Sequence, residues 1–176
     1  GYGPTFHSED FLNAGFDLVA IGEAENTILK VANYFSGKET ISLKEIKGIA
    51  YKHHDKIIET GKNDLIQDID SLPFPDRDTI HLAMERKCAI NILSSRGCQA
   101  NCVFCSIVAF QRKSSGNKWR QRSISNFVDE IESLYELGVR HFKVIDDSFI
   151  EPPRDSNWCK NLADEISNRN MKIYLR

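Results

Sequence analysis

The chain has 176 residues, 41% hydrophobic and 27% charged, enough apolar mass for one domain or two small ones. Its 23 basic and 25 acidic residues leave a formal charge of −2, so no global field recruits nucleic acid or an anionic membrane surface. No apolar run approaches the ~18–20 residues of a membrane span, and the opening "GYGPTFHSED" has neither the basic nor the apolar stretch of a secretion signal. The chain begins without Met and ends on a strand pattern, "KIYLR", and so reads as a piece of a longer protein.

In chain order, "SEDFLNAG" (8–15) predicts a short helix capped by Ser8 and stopped by Gly15. "DLVAIG" (17–22) is an apolar run closed by Gly22, the pattern of a buried strand. In "EAENTILKVANYFSG" (23–37), Ile28, Leu29, Val31, Ala32 and Phe35 share one helical face. Glu23 and Glu25 lie near the positive end of that helix, and Gly37 follows its other end. Alternation on both sides of "HHDK" predicts a hairpin of 48–52 and 56–60. From Asp68 to Ile80 periodicity fades, and Pro73 and Pro75 bar helix and ladder, so an extended linker and a domain boundary are expected.

A second α/β pattern follows. "AINILSS" (89–95) predicts a strand leading into a cysteine-rich loop. "SNFVDEIESLYELG" (125–138) predicts a helix with Phe127, Val128, Ile131, Leu134 and Tyr135 inward and Gly138 as its stop. "RHFKVIDDSF" (140–149) is a strand that runs into Asp146 and Asp147. "SNWCKNLADEISNRN" (156–170) carries a helical period through Trp158, Leu162, Ala163 and Ile166, with Ser156 as cap, and "MKIYL" (171–175) is a third strand. This order predicts parallel pairing through helical crossovers. In such folds ligands sit beyond the carboxyl ends of strands. The cysteine loop and the two aspartates both fall there.

"SSRGCQANCVFCSI" (94–107) sets Cys98, Cys102 and Cys105 in a C-x3-C-x2-C array, in a chain with five cysteines. The odd count argues against a closed disulfide framework and for a reducing, cytoplasmic compartment, where clustered thiols hold metal or do chemistry. A structural zinc site wants a fourth protein ligand. Cys88 lies one strand away, roughly 20 Å at ~3.3 Å per residue, and His81 and His141 could serve only if the fold brought them near. Three thiolates with one open position suit an iron–sulfur cube whose fourth iron binds something else. Gly97 would let the backbone approach that cube closely. Small buried cysteines or a zinc knuckle are the competing readings. Cys88 and Cys159 read as packing residues.

C-x3-C followed by C-x-aromatic-C, here Cys98, Cys102, Phe104 and Cys105 after a strand, resembles the signature of radical S-adenosylmethionine enzymes. "GYGPT", "VAIGEAE", "IKGIAY", "LPFPDRD", "SSRGC", "FCSI", "RQRS" and "VIDDSF" resemble the branch with an N-terminal cobalamin-binding domain. That resemblance implies an α/β architecture in two parts. Residues 1–67 would be the end of a Rossmann-like cobalamin-binding domain with its hairpin, 68–86 a linker, and 87–176 the first half of a radical-enzyme partial (β/α) barrel. It implies a 4Fe-4S cluster on Cys98, Cys102 and Cys105. It also implies S-adenosylmethionine chelated to the fourth iron and cleaved by one electron to a 5′-deoxyadenosyl radical.

Under the same resemblance, Phe104 would contact the adenine, with core packing as the competing reading. Asp146 and Asp147 would receive the methionyl ammonium group, with a solvated strand-end pair as the alternative, and Arg176 would meet the methionyl carboxylate. Gly3 and Thr5, with Gly1, resemble the glycine turn lining a cobalamin nucleotide tail, and Gly22–Glu23 the next strand-end turn. The Asp-x-His-x-x-Gly loop that supplies histidine to cobalt occurs nowhere in the chain, so His7 reads as a surface or helix-start residue. A small-molecule substrate and an electron donor such as flavodoxin or ferredoxin are the implied partners.

Between Ser106 and Val128, Arg112, Lys113, Lys118, Arg120 and Arg122 meet no acidic residue, and Trp119 lies among them. An RNA-facing patch is one reading. A solvated loop followed by arginines that pair locally is the favoured one, so nucleic acid is not an expected partner. Three functions stay open: a cobalamin-dependent radical methylase or ring-rearranging enzyme, a radical cyclase or methylthiotransferase without cobalamin, and a non-enzymatic zinc or iron–sulfur module.

Overall fold

Two short helices, α1 (Tyr2–Phe6) and α2 (Ser8–Asn13), open the chain in the computed structural model, which describes residues 1–38 and 40–176. β1 (Leu18–Ala20), α3 (Glu25–Phe35), β2 (Ile49–His53), β3 (Lys56–Glu59), α4 (Ile80–Glu85), β4 (Ile90–Ile92) and β5 (Ser95–Arg96) follow. Then come α5 (Ser106–Gln111), β6 (Arg120–Gln121), α6 (Ile124–Glu136), β7 (His141–Val144), α7 (Ser156–Asn168) and β8 (Tyr174–Leu175). The fold is mixed α/β and divides into two units, residues 1–66 with 100–117 and residues 67–99 with 118–176.

In the first unit β1, β2 and β3 form an antiparallel sheet with Leu18 opposite Tyr51 and Tyr51 opposite Ile58. The predicted hairpin is present. The predicted strand–turn–helix unit is also present, with its strand paired antiparallel to β2. Two small cores hold the sheet, one around Leu12, Val19, Ile21 and Ala50, the other around Val31, Ile46, Ile49 and Tyr51.

α3 departs from the expected face. It buries Thr27 and Val31, while Ile28, Leu29 and Phe35 are 53%, 63% and 64% exposed. Thr27 can occupy the inner row because its hydroxyl donates to the Lys47 carbonyl at 3.3 Å. A buried polar group is tolerated when it is so satisfied. Ser8 is not the cap of α2: His7 holds that position, and buried Ser8 turns its hydroxyl to Glu59 Oε1 at 3.1 Å.

In the second unit β4, β7 and β8 pair in parallel, as the strand–helix order predicts, with Ile90 opposite Phe142 and His141 opposite Tyr174. Ile90, Ile92, Phe127, Val128, Ile131, Leu134, Phe142 and Leu162 form one core beneath α6 and α7. Ser123 caps α6 by accepting from the Asn126 N–H at 3.1 Å. The cap of α7 is Asp155 rather than Ser156, its carboxylate accepting from the Trp158 N–H at 2.9 Å. The proline-containing stretch holds one short 3-10 turn, Ile69–Ser71, before α4, which the sequence reading did not anticipate. Among the described residues no helix is long and apolar enough to cross a membrane.

Candidate functional site

β4 and β7 end side by side, and Asp146 ties their ends together. Its carboxylate accepts from the Ser94 N–H (2.7 Å), from the Ser94 and Ser95 hydroxyls, and from Arg154 Nη1 (3.4 Å). The side chains of Asp146 and Arg154 are 1% and 0% exposed. Arg154 also donates to Gln121 Oε1, Ser94 Oγ, the Phe149 carbonyl and the Ser94 carbonyl at 2.7–2.9 Å. Its guanidinium lies over Trp119, Phe149 and Trp158, 3.9 Å from the last ring centroid. Burial pulls the Arg154 guanidinium below its ordinary range, and Asp146 opposes that pull.

The two aspartates therefore differ. The Asp146 oxygens are committed to internal donors, so a solvated pair is the wrong description of it. Asp147 is exposed, and its Oδ2 accepts from the Gly97 N–H at 2.9 Å, fixing the residue before Cys98. Gly97 has φ +87°, a conformation that favours glycine.

Cys98 is half-buried, its thiol donating to Glu151 Oε1 at 3.3 Å, and the Gln99 N–H approaches the same oxygen. Cys102 and Cys105 lie on the 100–117 segment of the first unit, with the Cys105 N–H bonded to the Cys102 carbonyl at 3.1 Å. All five cysteines are free thiols. Among the described residues no three His, Cys, Asp or Glu side chains already converge into a metal-binding group.

Phe104 is 90% exposed, which removes core packing as its explanation. Phe104→Ala is accordingly expected to change unfolding free energy by no more than about 0.5 kcal/mol, read from thermal or urea melts. Cys88 and Cys159, expected to be packing residues, are both exposed. Cys88 lies between α4 and β4, and Cys159 lies on α7.

In the first unit, Gly3 lies inside α1 where a glycine turn is expected. The buried Thr5 hydroxyl donates to the Gly1 carbonyl at 2.7 Å and accepts from the Gly22 N–H at 3.0 Å. The Glu23 carbonyl accepts from the Asn63 side-chain amide. His7 is exposed beside Asp10, as a helix-start residue. In the second unit Arg176 is exposed, and its backbone extends the β7–β8 pairing through Phe142 and Val144.

Of the basic stretch, Arg120 and Arg122 are buried. Arg122 pairs with Glu130, which also holds Arg77 at 2.8 Å, and Phe74 of the "LPFP" stretch lies 5.2 Å from the Arg122 guanidinium. Local pairing is thus correct for Arg122. Sequence reasoning missed Arg154 and Glu151. Both sit within the aperiodic "SFIEPPRD" (148–155), and Cys98 and Ser94, which they bond, lie roughly fifty to sixty residues away, so no local pattern marks them.

In the second unit the chain runs from β4 through β5 to Cys98. No family model matches the chain. An uncharacterized methyltransferase of Pyrococcus horikoshii is 33% identical over 138 residues, 76% of this chain and 28% of that protein. The anaerobic magnesium-protoporphyrin IX monomethyl ester cyclase of Synechocystis is 30% identical over 155 residues, 84% of this chain and 30% of that protein. Among solved structures, the radical S-adenosylmethionine methyltransferase TsrM from Kitasatospora setae, with cobalamin and a [4Fe-4S] cluster bound, superposes with a TM-score of 0.71. It shares 20% identity over 97% of this chain and 33% of that one. The chain thus shares the fold of this radical S-adenosylmethionine methyltransferase and is similar in sequence to part of a methyltransferase and of a cyclase. It spans less than a third of the length of the curated relatives it matches.

Proposed function

We propose that this chain is the cluster-bearing part of a radical S-adenosylmethionine enzyme, in which residues 87–176 begin a partial (β/α) barrel and residues 1–67 end a Rossmann-like domain. The observation that carries it is the donor set: three reduced thiols on one loop, each partly or fully accessible, beyond the first strand of a parallel sheet. Soft thiolates at that spacing suit iron–sulfur ligation. Cys98, Cys102 and Cys105 would hold the cluster. When bound, it supplies the electron that cleaves S-adenosylmethionine to a 5′-deoxyadenosyl radical.

The chain's own groups position what binds. Arg154 and Asp146 fix the two strand ends, Asp147 fixes Gly97, and Phe104 presents an exposed ring on which an adenine can stack. Asp147 is the better placed of the two aspartates for a ligand ammonium group, because the carboxylate of Asp146 is fully engaged inside the fold. Cobalamin enters the proposal through the likeness to TsrM, on which it is bound. The polar groups of Thr5 and Gly22 satisfy each other and Gly3 lies within a helix, so no residue here is assigned to cobalamin and no step runs through it. A small-molecule substrate, a flavodoxin- or ferredoxin-type donor and a cytoplasmic location complete the reading. A radical cyclase without cobalamin is the second reading, drawn from the Synechocystis relative.

The test is anaerobic reconstitution with iron and sulfide, then electron paramagnetic resonance of the reduced protein with and without S-adenosylmethionine. A 4Fe-4S signal that shifts on adding S-adenosylmethionine is expected. Zinc uptake in place of a cluster, or a cluster signal indifferent to S-adenosylmethionine, would leave only a metal-binding module.

A further inference from the structure

The segment that carries Cys102 and Cys105 has little regular structure of its own. α5, which Cys105 caps, has 6 residues, too few to hold together without tertiary contacts. Two features make it one body. Arg112 Nη2 donates to Asn101 Oδ1 at 2.8 Å, closing residues 101–112 on themselves around both cysteines. Val108 is 2% exposed, and the Phe110 ring meets Tyr2 at 4.6 Å.

The body is then tethered at its end. Ser115 N–H donates to the Asn63 carbonyl at 2.9 Å, and Leu65 N–H to the Ser115 carbonyl at 2.8 Å. Ser114 Oγ donates to Asn63 Oδ1 at 2.6 Å, with the two residues 9% and 7% exposed. The Asn63 amide nitrogen donates in turn to the Glu23 carbonyl. Space for this clasp exists because residue 22 is glycine: at φ +78°, a Cβ there would stand 2.6 Å from Ser114 Oγ and 3.3 Å from Asn63 Oδ1. Buried polar networks that are fully satisfied select one arrangement over its neighbours.

We infer that Asn63 and Ser114 are positioning residues for Cys102 and Cys105, presetting the loop that delivers two of the three thiolates. The inference rests on the cluster reading above. Groups that hydrogen-bond behind metal ligands set ligand orientation and affinity although they touch no metal.

The experiment uses Ser114→Ala and Gly22→Ala, the second pressing on the same hydroxyl from the opposite side. Amide hydrogen exchange of the metal-free, reduced protein is followed by mass spectrometry. Exchange over residues 100–112 is expected to rise at least about tenfold in both variants, with the β2–β3 hairpin unchanged. After reconstitution, the reduced cluster signal is expected to broaden and to shift from its wild-type g-values.

Either variant leaving both the loop exchange and the signal at wild-type values overturns the inference. So does a Ser114→Ala protein that loses hairpin protection, since the clasp would then be a folding element and not a positioning one. A wild-type chain that takes up no cluster sinks the proposed function instead, and the exchange measurement still decides whether the clasp holds the loop.

Discussion

Asp146→Asn is expected to lower the stability of the second unit by about 3–5 kcal/mol, the range for breaking a buried ion pair by removing one partner. Urea unfolding followed by circular dichroism measures it, and Asp147→Asn in the same assay is expected to stay within about 1 kcal/mol. The asymmetry follows from what each carboxylate touches. Asp146 satisfies one backbone N–H, two hydroxyls and a guanidinium whose side chain is 0% exposed. An asparagine there leaves Arg154 charged, buried and without its counter-ion. Asp147 gives up a charge at an exposed position and can still accept from Gly97 as an amide oxygen. Asp146→Ala with Arg154→Met should recover part of the loss, because the orphaned charge goes with its partner. Equal losses for Asp146→Asn and Asp147→Asn would show that the strand-end clasp is not what distinguishes them.

What sequence could show about this protein depended on how local the cause was. The β2–β3 hairpin, the parallel order of β4, β7 and β8, and the faces of α6 were legible because alternation and helical period recur within a few residues. The C-x3-C-x2-C array is visible in sequence because the spacing is local. The α3 face was misread since its most apolar row, Ile28, Leu29 and Phe35, is not the buried one. Thr27 lies on the buried row instead, its hydroxyl donating to the Lys47 carbonyl, a partner twenty residues away that helical periodicity does not register.

The clasp around Arg154 joins Ser94, Gln121, Asp146 and Phe149, and the clasp around Asn63 joins Glu23 and Ser114. Each partner looks like an ordinary loop residue until distant segments meet. The paired aspartates showed the same limit: spacing marked both, and only packing separates the one engaged inside the fold from the one at the surface.

Cys98→Ala, Cys102→Ala and Cys105→Ala are each expected to retain less than about a tenth of the wild-type iron after anaerobic reconstitution. Cys88→Ala and Cys159→Ala are expected to match wild type. Removing a group that merely supports a ligand costs about 10–100-fold in metal affinity, and removing the ligand itself costs at least as much. None of the five thiols is buried, so the metal-free variants should melt within a few degrees of wild type, and iron loss cannot be assigned to unfolding. Cys98 sharpens the test because its thiol already has a partner, Glu151 Oε1 at 3.3 Å. Cys98→Ser keeps a donor for that carboxylate but replaces a soft sulfur ligand with a hard oxygen. It should therefore hold wild-type stability while losing the cluster. Iron retained at wild-type levels in Cys98→Ser would mean that the thiol serves Glu151 and the loop, and that the metal is held elsewhere.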